Sequence, residues 1–171
     1  MKIKDHIRIV PDFPKPGINF YDIATLLAHP EAWRETVVAL KKIAEKYDAD
    51  MLMGIESRGF LVAAPLAMEM EIGFGMVRKK GKLPGLTLSQ SYALEYGEDE
   101  IEIQPDLVPA GAKVILVDDL LATGGTMAAA ENLLAKTGAH VVLNLCIIEL
   151  DGLDGHKKLK SPFKALLNCP A

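Results

Sequence analysis

The strongest signal in the sequence is a stretch of 13 residues, Val114-Ile-Leu-Val-Asp-Asp-Leu-Leu-Ala-Thr-Gly-Gly-Thr126. Its four apolar residues, 114–117, predict a buried strand, and two carboxylates follow directly at the end of that strand. Gly124 and Gly125 then allow backbone N–H groups to approach an anion, because neither residue carries a β-carbon. A helix predicted over residues 126–136 adds the partial positive charge of its N-terminus. The stretch therefore predicts a phosphate cradle beside a pair of acids.

This cradle differs from the two common nucleotide-binding motifs. No lysine follows the glycines, so the G-x-x-x-x-G-K-[ST] motif of nucleoside triphosphatases is absent. Gly73-Phe-Gly75 begins like the dinucleotide fingerprint, but Arg78 stands where the third glycine would be. Asp118 and Asp119 would repel a phosphate, so we expect them to accept hydrogen bonds from the cis diol of a sugar. The alternative is that both acids cap a helix or bind a divalent ion.

Length and composition exclude several classes of protein. The 171 residues fit one domain, 1–171, and half of them are hydrophobic, which is enough for a real core. The net charge of −4 argues against a broad surface for nucleic acid or an anionic membrane. The longest uncharged stretches have 12 residues, whereas a membrane helix needs about 20. The start of the chain does not resemble a secretory signal, and Cys146 and Cys169 form no spaced framework, so we expect a cytoplasmic protein.

The hydrophobic pattern predicts an α/β fold with a mostly parallel sheet flanked by helices. Strands that read as unbroken apolar runs, separated by helices, are typical of parallel sheets covered on both faces. The predicted strands are 51–55, 73–78, 114–117 and 139–150, and the predicted helices are 30–46, 60–70 and 126–136. Residues 9–27 are predicted to be irregular because of their prolines. Ligands bind at the carboxyl ends of parallel strands, so the turns 56–59 and 118–125 and the polar segment between the two units should share one rim.

The 13-residue stretch closely resembles the phosphoribosyl pyrophosphate-binding signature of the phosphoribosyltransferase family. The resemblance implies a fold like that of the type I phosphoribosyltransferases. It also implies that the two acids hold the ribose hydroxyl groups and that the loop holds the 5′-phosphate of the donor. The residues placed in these roles by position are Asp118, Asp119, Ala122, Thr123, Gly124, Gly125 and Thr126.

Three further segments resemble the members of this family that act on adenine. Residues 11–22 are similar to an N-terminal segment that covers the purine, 78–85 to a basic strand end and loop, and 91–97 to a mobile active-site loop. The resemblance implies that residues 1–29 cover the base and that residues 79–106 form the mobile loop region. The residues it implies in base binding are Phe20, which would stack on the ring, Asn19 and Tyr21. Tyr21 departs from the pattern, because many members have Arg at this position.

The basic segment after the predicted strand 73–78 also has a chemical interpretation of its own. Arg78, Lys79, Lys80 and Lys82 place four cations within five residues of an otherwise acidic chain. Such a cluster suits a pyrophosphate leaving group, whose growing charge needs fixed positive partners. Arg58, in a turn at a strand end, could grip the same group bidentately. The alternatives are a solvated basic loop and a surface ion pair of Arg58. The resemblance favours Arg58, Arg78, Lys79 and Lys82 as pyrophosphate-binding residues.

Glu95 is the predicted catalytic residue. It lies in a loop with Tyr92 and Tyr96, and a carboxyl group among aromatic rings loses solvation when such a loop closes, which should raise its pKa. A raised pKa would let Glu95 exchange a proton with a purine ring nitrogen. On the residues alone, an ordinary glutamate in an acidic loop is the alternative, and the catalytic role is implied by the resemblance.

The resemblance implies one reaction and leaves two rivals. The reaction is transfer of the 5-phosphoribosyl group from phosphoribosyl pyrophosphate to adenine, which gives AMP and pyrophosphate. The implied cofactor is Mg²⁺, held mainly by the pyrophosphate and ribose of the substrate, with no metal site built from protein side chains. The implied partner is a second copy of the chain in a homodimer, with no nucleic acid and no membrane. The rivals are the same chemistry on hypoxanthine or guanine, and a non-catalytic regulator that senses the donor and binds nucleic acid.

Overall fold

A seven-stranded sheet forms the centre of the structure, a computed structural model that describes residues 2–94 and 96–171. Two further short strands pair with each other near the N-terminus. The strands and α-helices are, in chain order, β1 (Arg8–Val10), β2 (Phe20–Asp22), α1 (Ala24–Leu27), α2 (Pro30–Ala44), β3 (Met51–Ile55), α3 (Arg58–Met70), β4 (Gly73–Lys79), β5 (Leu88–Ala93), β6 (Glu98–Ile103), β7 (Lys113–Leu121), α4 (Gly125–Ala135), β8 (His140–Asp151) and β9 (Phe163–Pro170). Short 3₁₀ turns cover Ile3–His6, Glu45–Tyr47, Pro105–Leu107 and Gly155–Lys158.

The strand order of the sheet is β5-β6-β4-β3-β7-β8-β9. Strands β4, β3, β7, β8 and β9 are parallel, whereas β6 is antiparallel to β4 and β5 is antiparallel to β6. Parallel neighbours need crossover connections, which α3 supplies between β3 and β4 and α4 supplies between β7 and β8. The architecture confirms the predicted α/β fold with a mostly parallel sheet.

The central strands are buried on both faces of the sheet. All five residues of β3 are buried, and residues 114–117 of β7 are fully enclosed. One half of the core lies between the sheet and helices α2 and α3, and the other half lies under α4 and the β5–β6 hairpin. Burial on both faces explains why these strands read as unbroken apolar runs.

Strand β7 is longer than the sequence predicts. It continues to Leu121, so Asp118 and Asp119 lie inside the strand. The ladder to β8 continues at this point and places Asp118 opposite Cys146. The predicted turn over residues 118–125 is therefore wrong for its first four residues, because pairing with β8 extends the strand beyond its apolar run.

Two other segments also differ from the expectation. Residues 9–27, expected to be irregular, contain β1, β2 and the short helix α1. The edge strand β9 was not predicted at all, although it pairs in parallel with most of β8. Both differences arise from pairing between segments far apart in sequence or separated by a proline-rich loop. No helix within residues 2–94 and 96–171 has the length and apolar character that a membrane crossing requires.

Candidate active site

The residues that follow three neighbouring strands lie at the same rim of the sheet. Strands β4, β3 and β7 are adjacent and parallel, so their carboxyl ends lie side by side. The turn after β3 leads into α3, the end of β4 carries the basic segment, and the end of β7 carries the two acids and the glycine loop. The residues that the sequence assigned to diol, phosphate and pyrophosphate binding therefore come from this rim.

The two acids of β7 have different surroundings. Asp119 is 4% exposed, and its Oδ2 atom lies 2.8 Å from Nε of Arg58. This contact is an ion pair without the alignment of a hydrogen bond, and Oδ2 accepts no hydrogen bond from the described residues. Asp118 accepts the backbone N–H of Asp119 through Oδ1 at 2.8 Å. The acid pair therefore keeps a carboxylate oxygen that can accept a further donor.

Burial affects the protonation of both acids. Desolvation raises the pKa of Asp118 well above its ordinary value, and the charge of Asp119 raises it further. Desolvation also raises the pKa of Asp119, although the Arg58 guanidinium acts in the opposite direction. Two carboxylates side by side in a poorly hydrated position carry a free-energy cost when both are ionised. Hydroxyl donors from a sugar diol would reduce that cost.

Gly59 allows α3 to start close enough to β7 for Arg58 to reach the acids. A β-carbon built on Gly59 would lie 2.8 Å from the carbonyl oxygen of Val117 and 3.1 Å from Oδ1 of Asp118. The first distance is shorter than real β-carbon contacts and the second is tighter than most of them, so a larger residue would push the helix away from β7. The glycine after Arg58 is thus a packing requirement of the site.

The loop after β7 has the features of an anion cradle. Gly124 has a φ of 82°, and α4 begins at the next residue, Gly125. The first N–H groups of a helix have no carbonyl partner within that helix and carry part of its positive end charge. Thr123 is exposed and Thr126 is half-buried, so their hydroxyl groups can add further donors. The loop could therefore hold a phosphate without using a charged side chain.

Glu56, the first residue after β3, gathers the cations at the end of β4. Its carboxylate accepts the backbone N–H of Lys79 at 2.8 Å and Nε of Arg78 at 3.4 Å, and it also pairs with Nζ of Lys82. The side chain of Lys79 lies 2.9 Å from Oδ2 of Asp99 on β6. Each of the predicted pyrophosphate-binding cations is thus paired with a carboxylate: Arg58 with Asp119, Arg78 and Lys82 with Glu56, and Lys79 with Asp99.

Sequence reasoning gave Glu56 no role. Burial tends to raise its pKa, but hydrogen bonds from Lys82 and from the Lys79 backbone, together with nearby positive charge, outweigh burial and lower the pKa overall. The available signal was its position, since an acid directly after a buried strand and before a Ser-Arg-Gly turn faces the rim. The peptide bond between Glu56 and Ser57 is cis, which no sequence pattern indicated.

The residues predicted to bind the base are divided by the structure. The ring of Phe20 lies 4.9 Å below the guanidinium of Arg58, and Phe13 packs edge-on against it at 5.1 Å. Arg58 therefore stands between an aromatic face and Asp119. The side chain of Tyr21 is buried, and its hydroxyl group donates to the carbonyl of Pro170 at 2.7 Å. Only the backbone groups of Tyr21 are therefore left to contact a base beside Phe20. Asn19 is exposed.

The β5–β6 hairpin covers part of the glycine loop through Tyr92. The phenol donates to Oδ2 of Asp99 at 3.2 Å, and the nearby side chain of Thr126 acts to lower the pKa of Tyr92. Burial is the largest cause of the raised pKa of Tyr92. The sequence predicted no role for Tyr92 beyond its position near Glu95. Glu95 itself lies outside the described residues.

The acids of the rim suit a cation that arrives with a substrate. Among residues 2–94 and 96–171, no group of three His, Cys, Asp or Glu side chains is arranged to hold a metal ion. Asp118 and Asp119 supply carboxylate oxygens, which are the donors that Mg²⁺ prefers, and Oδ2 of Asp119 has no aligned donor among the described residues. These two acids could contact Mg²⁺ only together with oxygens from a bound substrate.

Comparisons with known proteins identify the family. Residues 22–170 match the model of the phosphoribosyl transferase domain. A curated adenine phosphoribosyltransferase of Rhodospirillum rubrum is 58% identical over 167 residues, which are 98% of each chain. The crystal structure of adenine phosphoribosyltransferase from Thermoanaerobacter pseudethanolicus has a TM-score of 0.95 at 45% identity and covers 98% of both chains.

A second solved structure is similar and contains ligands. Adenine phosphoribosyltransferase from Saccharomyces cerevisiae, in complex with an imino-altritol bisphosphate and adenine, has a TM-score of 0.92 at 38% identity and covers 96% of each chain. Sequence and structure comparisons thus agree over nearly the whole length. The chain therefore belongs to the phosphoribosyltransferase family and, within it, to the adenine phosphoribosyltransferases.

Proposed function

We propose that this chain transfers the 5-phosphoribosyl group from phosphoribosyl pyrophosphate to adenine and releases AMP and pyrophosphate. The observation that carries the proposal is the position of Arg58, whose guanidinium contacts Asp119 on one side and the ring of Phe20 on the other. This position supports one continuous site in which the sugar, the leaving group and the base would meet. Family membership supports the same conclusion.

In this proposal the donor is held from its two ends. The carboxylates of Asp118 and Asp119 accept hydrogen bonds from the ribose hydroxyl groups, which also removes part of the free-energy cost of placing a half-buried and a buried charge next to each other. The N–H groups of residues 122–126 and the hydroxyl groups of Thr123 and Thr126 bind the 5′-phosphate. The position of Gly124 directly before α4 supports this role, because the first N–H groups of a helix have no carbonyl partner and favour an anion.

The pyrophosphate group would take cations away from the carboxylates that hold them in the described structure. Arg58 would leave Asp119, and Arg78 and Lys82 would leave Glu56, so each cation would exchange a carboxylate partner for a pyrophosphate oxygen. Lys79 likewise leaves Asp99. Bound Mg²⁺ would neutralise part of the pyrophosphate charge and so make this group a better leaving group.

The base would stack on Phe20, with the backbone of Asn19 and Tyr21 along its edge. The ring of Phe20 is already oriented by Phe13, and the buried side chain of Tyr21 anchors this part of the chain to the end of β9. Residues 1–29 then cover the base. Because the Tyr21 side chain lies in the core, we infer that replacement of the family's Arg at this position leaves base recognition to the backbone.

The chemistry follows from this arrangement. The bond between the ribosyl carbon and pyrophosphate breaks, positive charge develops on the sugar, and a ring nitrogen of adenine forms the new bond to the same carbon. Glu95 takes part in the proton shift on the purine. Closure of the β5–β6 hairpin, within the predicted mobile loop region 79–106, would exclude water, which otherwise competes for the same carbon.

We further propose that the chain forms a homodimer through α3. Leu61, Pro65 and Met68 follow helical spacing on one face, and Leu61 and Met68 are 49% and 80% exposed. Exposed apolar side chains in a row indicate a contact surface. A Met68→Glu variant should elute as a monomer in size-exclusion chromatography with light scattering, and an unchanged mass would contradict this surface.

The cysteines are buried and unpaired, which supports the cytoplasm as the compartment.

A base-competition assay tests the proposed function directly. The protein is incubated with phosphoribosyl pyrophosphate, Mg²⁺ and equal amounts of adenine, hypoxanthine and guanine, and the nucleotide products are separated. We expect AMP and pyrophosphate in equal amounts. Formation of IMP or GMP would overturn the choice of adenine, and absence of every nucleotide together with a DNA gel shift would favour the regulator.

A further inference from the structure

The glycine loop packs against a second loop that no sequence pattern assigned to the site. This second loop, residues 152–158, follows β8, and we call it the brace loop. A β-carbon built on Gly124 would overlap the carbonyl oxygen of Gly155 and would lie 2.9 Å from its carbonyl carbon. Backbone of one loop therefore contacts backbone of the other.

The contact is reciprocal. A β-carbon built on Gly155 would overlap the carbonyl oxygen of Ala122 and would lie 3.1 Å from both the backbone nitrogen of Gly124 and the carbonyl carbon of Thr123. Gly155 is buried and does not have a positive φ, so its backbone conformation is open to other residues. Position 155 therefore requires glycine because there is no room for a β-carbon. The peptide groups of residues 122–124, which would bind a phosphate, occupy that volume.

The brace loop cannot easily retreat, because it is fixed to two strands. Nδ1 of His156 lies 2.5 Å from Oε1 of Glu149 in β8, and the imidazole stacks on Phe163 of β9 with an interplanar angle of 13°. Within the loop, the backbone N–H of Lys157 donates to the carbonyl of Asp154 at 3.0 Å. A methyl group added at Gly155 would therefore displace the glycine loop and not the brace loop.

We propose that Gly155 is a positioning residue, whose backbone holds residues 122–124 in the conformation that receives the 5′-phosphate. The inference rests on the proposed function of that loop. A cradle made of neutral backbone donors binds an anion well only when the donors are already aligned, since it has no charged side chain to compensate for a displaced amide. Gly155 supplies this alignment from outside the loop.

The test compares Gly155→Ala with Gly73→Ala in the full chain. Gly73 is a matched control, because a β-carbon there meets no atom nearer than 4.0 Å and its φ is not positive. Titration calorimetry measures ribose 5-phosphate and pyrophosphate separately. We expect Gly155→Ala to weaken ribose 5-phosphate binding about tenfold or more and to change pyrophosphate binding less than about twofold. Gly73→Ala should leave both affinities at the parent value.

The possible results separate the two proposals. A parent protein that does not bind ribose 5-phosphate overturns the proposed function, and the positioning role with it. A parent that binds this ligand while Gly155→Ala binds it equally well overturns the positioning role alone, as does an equal loss of both ligands, which would indicate general damage.

A second variant decides the matter if Gly155→Ala does not fold. His156→Ala adds no bulk and removes the contacts that fix the brace loop to β8 and β9. We expect it to weaken ribose 5-phosphate binding about threefold, with pyrophosphate binding unchanged. Parent affinity for ribose 5-phosphate in this variant would contradict the role of the brace loop.

Discussion

The two regions of the rim that would receive anionic groups are built from different materials. The glycine loop, residues 122–126, offers backbone N–H groups and short hydroxyl side chains, and it packs against the backbone of Gly155. The cation cluster at the end of β4 consists of long Arg and Lys side chains held by carboxylates such as Glu56 and Asp99. One region is fixed by packing, and the other by ion pairs that can exchange.

This difference matches what the reaction demands of each region. The 5′-phosphate is present in both donor and product, so its site does not need to change during turnover, and fixed donors suit it. Pyrophosphate is bound at the start and released at the end. Cations that return to Glu56 and Asp99 when it departs keep the cost of release low, because they are not left unpaired.

The largest expected effect belongs to neither region. A Glu95→Gln variant should lower kcat by about 10²–10⁴-fold, because general acid–base groups contribute on this scale, while ribose 5-phosphate and pyrophosphate bind as in the parent. Single-turnover kinetics together with calorimetry make the measurement. A parent-like kcat would remove Glu95 from the chemistry, and weakened ligand binding would show that it belongs to one of the two regions.

Gly124→Ala should damage the packed region alone. We expect ribose 5-phosphate binding to fall about 30- to 100-fold, since the new methyl group meets Gly155 and also requires a left-handed conformation. Gly111→Ala is the control, because Gly111 has a φ of 81° but no atom within 4 Å of an added β-carbon. If Gly124→Ala binds ribose 5-phosphate as well as Gly111→Ala does, the contact between Gly124 and Gly155 does not position the phosphate donors.

Salt should distinguish the regions without any substitution. Raising NaCl from about 50 to about 500 mM should weaken pyrophosphate binding about tenfold and ribose 5-phosphate binding less than about threefold, because salt screens charged side chains more than it screens neutral backbone donors. Calorimetry at several salt concentrations gives both slopes. Equal slopes would mean that the glycine loop also relies on distant charge.

The same contrast explains what the sequence could predict. The apolar run 114–117, the two acids and the two glycines are contiguous, so a strand, a pair of carboxylates and a helix start could be read from local pattern. The basic segment was also visible, since four of its five residues are cations. Features encoded within about a dozen residues were therefore recovered.

The features that were missed depend on distant segments. The acids lie within β7 because of pairing with β8, and Gly155 meets Gly124 across 31 positions of the chain. Tyr21 donates to Pro170 over a separation of 149 residues, which no local pattern reveals. Glu56 was overlooked because its partners approach it only when β3 and β4 pair.

The smallest expected effect concerns stability, and its sign differs between an acid of the sugar site and an acid of the cation cluster. Burial raises the pKa of Asp118, so the folded protein binds a proton there more tightly than the unfolded chain does, and stability falls as the pH rises above the ordinary pKa of aspartate. An Asp118→Asn variant should therefore gain about 1–2 kcal/mol at pH 7, or roughly 2–8 °C in Tm. The gain should vanish at a pH below the ordinary pKa of aspartate, where the parent acid is protonated in both states.

Asp99 provides the opposite case. Its hydrogen bond from Lys79 is the main cause of a lowered pKa, so the stability it contributes is present at neutral pH and lost as pH falls through the lowered value. Asp99→Asn should lower Tm slightly at pH 7, by about 1–3 °C, because the ion pair is partly exposed. Thermal unfolding of both variants from acidic to neutral pH makes the comparison. Opposite signs at pH 7 would mean that Asp118 lowers the stability of the folded protein whereas Asp99 raises it. A destabilised Asp118→Asn variant would contradict the free-energy cost that we assign to the desolvation of this acid.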